Sequence, residues 1–110
     1  MFLPALLQFA RLTLYFPPIM GKTLRIALKN KYGLHVRPSA AIALTAAKFQ
    51  AAITVNCNGL GPVNARSSME LLGLGAECGT ELEFTAEGDD AEAAIDAMYA
   101  LVDGRFGGIE

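Results

Sequence analysis

From Gly21 onward the chain switches between two hydrophobic periods. Leu24, Ile26 and Leu28 alternate with Thr23, Arg25 and Lys29, a period of two that predicts a strand with one buried face. Between Pro38 and Phe49 the period lengthens, and Ile42, Ala46 and Phe49 recur at i, i+4 and i+7 among alanines. That spacing predicts an amphipathic helix, with alanines that lose no side-chain entropy. Ile53, Val55 and Cys57 alternate with Thr54, Asn56 and Asn58 and predict a second strand. Asn58-Gly59 is a turn signal, Gly61-Pro62 extends the connection, and a short strand is expected around Val63 to Ala65. The hairpin so formed is expected to have a loop longer than two residues. Met69, Leu71, Leu72 and Leu74 predict a short apolar helix that ends near Gly73 or Gly75. Leu82, Phe84 and Ala86 alternate with Glu81, Glu83, Thr85 and Glu87, giving a last strand with an acidic outer face. Asp89 and Asp90 are expected to cap a final helix whose Ala91, Ala94, Ile95, Met98, Leu101 and Val102 share one side, with Gly104 as its stop.

The order β-α-β-β-α-β-α predicts an α+β fold: a four-stranded antiparallel sheet with three helices on one face. At 110 residues the chain suits one domain, enough to bury somewhat over about 60% of its unfolded surface. Formal net charge is −2, which leaves no footprint for nucleic acid. The distribution of charge says more. Every Asp and Glu lies at Glu70 or later, and every Lys and Arg except Arg105 lies at Arg66 or earlier. The first half is therefore positive and suited to phosphate or to acidic partner surfaces.

The chain's single histidine falls in that positive half, in Gly33-Leu34-His35-Val36-Arg37-Pro38-Ser39. Pro38 suits a first helical turn, where its missing N–H is an orphan donor anyway, so the helix is expected to begin there with His35 just before it. The unpaired N–H groups and dipole of a helix start attract anions, and the Arg37 guanidinium offers donors matched to phosphate oxygens. An imidazole there can take a phosphoryl group covalently and release it again. Two competing chemistries fit poorly. One His with Cys57 and Cys78 cannot complete a four-ligand metal set, and neither cysteine sits in a nucleophile motif. No metal or cofactor is expected. A pure interaction domain, with His35 as an ordinary loop residue, is the bland alternative.

Gly33-Leu34-His35-Val36-Arg37-Pro38, then Ala65-Arg66-Ser67-Ser68-Met69 and Leu74-Gly75-Ala76, resemble the HPr family, histidine-containing phosphocarriers of the bacterial phosphoenolpyruvate-dependent phosphotransferase system. The resemblance runs from about Gly21 to Gly107. It implies an open-faced β-sandwich, with His35 as the phosphorylated residue and Arg37 as its phosphate-binding partner. It further implies Ser67 as a site for a regulatory kinase (HPr kinase/phosphorylase), and Met69 and Leu72 as partner contacts, with core packing as their plain alternative. The implied partners are enzyme I as donor and EIIA-type proteins as acceptors. The chain would then be a monomeric cytoplasmic carrier, a substrate of enzymes and not itself an enzyme, serving sugar uptake or a regulatory, nitrogen-type branch. Ser68 stands where the family commonly has a branched apolar residue, and the loop after the second strand is a residue longer than in many members.

Ser67 also has a purely structural reading. Ser67 and Glu70 match the capping box S-x-x-E, in which serine accepts the third helical N–H and glutamate reaches back to the serine N–H. Residues 1–20 stand apart from the 21–110 domain. They are mostly apolar but broken by Pro4, Arg11, Pro17 and Pro18, and they lack the charged start and cleavage pattern of a secretory signal. Arg11 near the centre of a membrane span would be costly. Since family chains usually begin close to Met20, an upstream start codon is the simplest explanation for this extension, with a membrane-peripheral or partner-binding role as the alternative.

Overall fold

A computed structural model describes residues 21–110, and the expectation for residues 1–20 lies outside them. The elements are β1 (Gly21–Ala27), α1 (Val36–Ala46), β2 (Ala52–Cys57), β3 (Leu60–Asn64), α2 (Ser68–Leu72), β4 (Glu81–Glu87), α3 (Ala91–Asp103) and a single turn, α4 (Arg105–Gly108). All four strands form one antiparallel sheet in the order β1-β4-β2-β3. The period-two residues set its faces. Ile53, Val55 and Cys57 of β2 and Leu82, Phe84 and Ala86 of β4 are buried, each on the same face as its neighbours because side chains alternate across a strand. Ile42 and Ala46 of α1, Leu71 of α2, and Ala94, Met98 and Val102 of α3 pack against that face. Phe84, fully buried on a central strand, contributes about 1.5–3 kcal/mol by leaving water. The other face carries polar side chains in rows, such as Thr23 opposite Thr85 and Thr85 opposite Thr54.

Several local expectations are corrected. Helix α1 starts at Val36, two positions before Pro38, because Ser39 N–H already donates to His35 O at 2.9 Å. Pro38 is the third helical residue, still within the turn that needs no intrahelical donor. The helix stops at Ala46, short of Phe49, where Lys48 N–H and Phe49 N–H turn to Thr45 O and Ala46 O and tighten the coil into i→i−3 geometry. The hairpin loop is two residues after all. Asn58 (φ 52°) and Gly59 (φ 79°) occupy the left-handed region and place Cys57 opposite Leu60, as a primed turn requires. Strand β3 is therefore longer than expected, and the register shift between Val55 and Cys57 absorbs the extra length as a bulge. Pro62 is tolerated there because β3 is an edge strand.

Helix α3 ends at Asp103 with Gly104 as its C-cap, as expected, and the chain then bends. Arg105 and Phe106 adopt positive φ (54° and 56°), which buries Phe106 against the core and sends Ile109 and Glu110 back towards the loop before α1. The expected three-helix layer thus gains a fourth short turn. Among the described residues no helix is long and apolar enough to cross a membrane.

Candidate functional site

Strand β1 runs into a loop, Leu28 to Leu34, that delivers His35 to the start of α1. Leu34 is buried and its N–H donates to Ala76 O at 2.9 Å, which ties the loop to the segment after α2. Gly33 makes the approach possible. Its φ is +68°, and a Cβ there would lie 2.5 Å from Ala76 O, so a side chain would push the loop away. His35 N–H donates to Gly33 O at 3.0 Å, and His35 takes extended angles (φ −83°, ψ −170°) as the N-cap of α1.

The imidazole is exposed, and its ring lies 5.8 Å from that of Tyr32 at 46°. No side chain caps α1, and no acidic residue lies in its first turn. The Val36 and Arg37 N–H groups precede the first intrahelical bond, so they face outward beside the imidazole. Arg37 is exposed on this turn. His35 and Arg37 line one open depression of about 320 Å³ with Tyr32, Val36, Pro38, Ile109 and Glu110. A neighbouring depression joins His35 to Leu72 and Glu77. Reachable imidazole, guanidinium and helix amides thus converge on one patch, a set able to accept an anion and hold it against a nucleophile.

The remaining expected residues lie on α2. Ser67 is its N-cap and accepts Glu70 N–H at 3.2 Å. The returning arm of the expected capping box goes elsewhere: Glu70 Oε1 accepts Asn64 N–H at 2.9 Å, while Ser67 N–H donates to Asn64 O. Glutamate therefore tethers α2 to the end of β3. Met69 is 78% exposed and Leu72 half-buried, with Leu71 between them in the core. Asp90 is the N-cap of α3 but does not cap it with its side chain. Its carboxylate instead accepts Gln50 N–H (2.9 Å) and Ala51 N–H (2.8 Å). Those bonds, Gln50's first, hold its carboxyl below the usual carboxylate range, with the Arg66 charge acting in the same direction against some desolvation. Arg66 donates to Phe49 O, so the same loop is gripped from both sides.

Burial pushes the Cys57 thiol up, the opposite of an activated nucleophile. Among the described residues no cluster of His, Cys, Asp and Glu could hold a metal ion. Tyr32, Glu77, Ile109 and Glu110 flank His35 without having been expected there. None lies in a motif, and only the fold brings the last two near.

Residues 22–103 match the family model described as the PTS HPr component phosphorylation site. This chain belongs to the HPr family. It is similar to a multiphosphoryl transfer protein of Vibrio cholerae, 42% identical over 87 residues, which are 77% of this chain and 22% of that protein. The chain thus spans about a fifth of the length of that relative. Phosphocarrier protein NPr of Shewanella violacea is 38% identical over 82 residues, 74% of this chain and 89% of that one. In three dimensions the chain is similar to HPr-C-His from Thermoanaerobacter tengcongensis, with a TM-score of 0.76 and 42% identity over 81% of this chain and 99% of that one. The open-faced sandwich expected from the motifs is thereby the fold of an HPr-family chain.

Proposed function

We propose that this chain is a cytoplasmic phosphocarrier in which His35 accepts a phosphoryl group from phosphoenolpyruvate-charged enzyme I and passes it to an EIIA-type acceptor in sugar uptake. The observation that carries this reading is the exposed imidazole at the uncapped, acid-free start of α1 beside Arg37. In the forward step a ring nitrogen attacks phosphorus in line. The new P–N bond forms as the donor's bond to phosphorus breaks, and the donor leaves with that electron pair. Docking supplies the alignment, while the Val36 and Arg37 N–H groups and the Arg37 guanidinium offset the charge on the phosphoryl oxygens. Handing over reverses the geometry. The partners' residues complete each transfer.

Met69 and Leu72, with Val36 beside the imidazole, form the docking patch, its flexible thioether suited to more than one partner. Ser67 is the regulatory site. A phosphate there adds about −1.5 to −2 charges next to this patch and repels an acidic partner. With labelled phosphoenolpyruvate and enzyme I, acid-labile label is expected on the wild type and none on His35→Ala; equal labelling of the two refutes the assignment. A cognate serine kinase with ATP should add one phosphate that Ser67→Ala lacks. The similarity to an NPr favours one second reading, a regulatory carrier of the nitrogen-related branch. Transfer rates to sugar-type and nitrogen-type EIIA proteins in parallel decide between the two.

A further inference from the structure

Asn30 is 1% exposed and, with Ser39, one of the two buried polar residues among the described residues. Its Nδ2 donates to Gly33 O at 2.6 Å and to Glu110 O at 3.0 Å, whereas its Oδ1 is buried with no hydrogen-bond partner among the described residues. Rotating the amide would not relieve this, since it would set Oδ1 against the same two carbonyls. Both carbonyls already have backbone donors. Gly33 O accepts His35 N–H at 3.0 Å, and Glu110 O accepts Tyr32 N–H at 3.0 Å. Asn30 therefore rescues no orphaned acceptor, and a buried oxygen left unpaired is a cost an apolar side chain would avoid.

What the amide does instead is lock two segments together. Gly33 O accepts the backbone N–H of His35, and Ile109 and Glu110 line the depression shared by His35 and Arg37. Building on the assignment of His35, we infer that Asn30 is a positioning residue for phosphoryl transfer: it holds the loop carrying His35 against the 109–110 segment and so sets where the ring meets an incoming phosphorus. It is buried, lines neither depression at His35, and touches no reacting atom. Its removal is expected to slow transfer without weakening docking.

The test is steady-state phosphorylation of the full chain by enzyme I and phosphoenolpyruvate, comparing wild type, Asn30→Leu and Asn30→Ser. Asn30→Leu keeps the branched side-chain skeleton and discards both donors. Its kcat is expected to fall about tenfold, since small misplacements of reacting groups are costly, with KM for the carrier within about twofold of wild type. Asn30→Ser, which keeps one donor, should recover part of the loss. An unchanged kcat for Asn30→Leu, or a rise in KM alone, overturns the inference. If Asn30→Leu does not fold, hydrogen exchange of the Asn30 side-chain amide in the wild-type protein decides: slow exchange supports the lock, and exchange at the rate of an exposed amide overturns it. Absence of acid-labile phosphate on the wild type would refute the His35 assignment instead; Asn30 would then be judged by the 15N backbone order of Tyr32 and His35, expected to drop in Asn30→Leu and overturning the lock if it does not.

Discussion

Helices α1 and α2 begin in opposite ways. At α2, Ser67 occupies the Glu70 N–H, and Glu70 brings a carboxylate into the first turn. At α1, the N-cap is a histidine that makes no side-chain cap, the third position is a proline with no N–H to offer, and no acid is present. Both ends carry a positive dipole end and orphan N–H groups, one fewer at α1 because of Pro38. One end is closed by its own sequence and held to β3 through Asn64; the other is left open towards solvent beside an arginine. A helix start offers its own amides to an incoming phosphoryl group only where the chain leaves them unsatisfied.

His35→Ser tests that contrast most sharply. Serine in the same extended conformation can accept Arg37 N–H, so acceptance of phosphate is expected to vanish while stability to urea rises by about 0.5–1 kcal/mol. A loss of stability would mean that α1 is not an open end. Next in size is Arg37→Ala, expected to slow phosphoryl acceptance about tenfold to a hundredfold with stability within roughly 0.5 kcal/mol of wild type, as for an exposed residue. Equal rates would remove the guanidinium from the site. Ser67→Ala should do the converse, costing about 1 kcal/mol of stability through the lost cap and leaving the rate of phosphate acceptance at His35 unchanged; a slower rate would join the two helix starts that the contrast separates.

The smallest effect is expected at the third start, Asp90. Its folded pKa is lowered, so the stability it adds is present above the unfolded value of about 3.9 and is lost as pH falls through the lower folded value. Urea midpoints of wild type and Asp90→Asn should therefore differ at neutral pH and converge in acid. A constant gap across that range would show that the carboxylate's charge plays no part in gripping Gln50 and Ala51.

Much of this fold is legible in the residues because one face of each strand is buried. The alternation of Ile53, Val55 and Cys57, or of Leu82, Phe84 and Ala86, reports that face directly, since a slip of one residue would turn every side chain to the wrong side. The helix limits and the hairpin are less legible. Pro38 is compatible with more than one position in a first turn, and the extra length after β2 can enter either a loop or a bulge. The S-x-x-E pattern correctly places the Ser67 cap but not the glutamate, whose reach back to Asn64 depends on how β3 meets α2. Asp90 likewise stands at its helix start while its carboxylate serves a loop some forty residues earlier in the chain.

By itself the sequence determined the faces of the sheet, the amphipathic helices and the local grouping of His35, Arg37 and Pro38, because periodicity and helix-start chemistry act between near neighbours. Only the tertiary structure decided that the imidazole faces solvent, that Ile109 and Glu110 line its depression, and that Asn30 spans from Gly33 to Glu110. Such contacts join positions as far as 80 residues apart, and no local propensity encodes them; they follow from the packing of helices and strands on a common core.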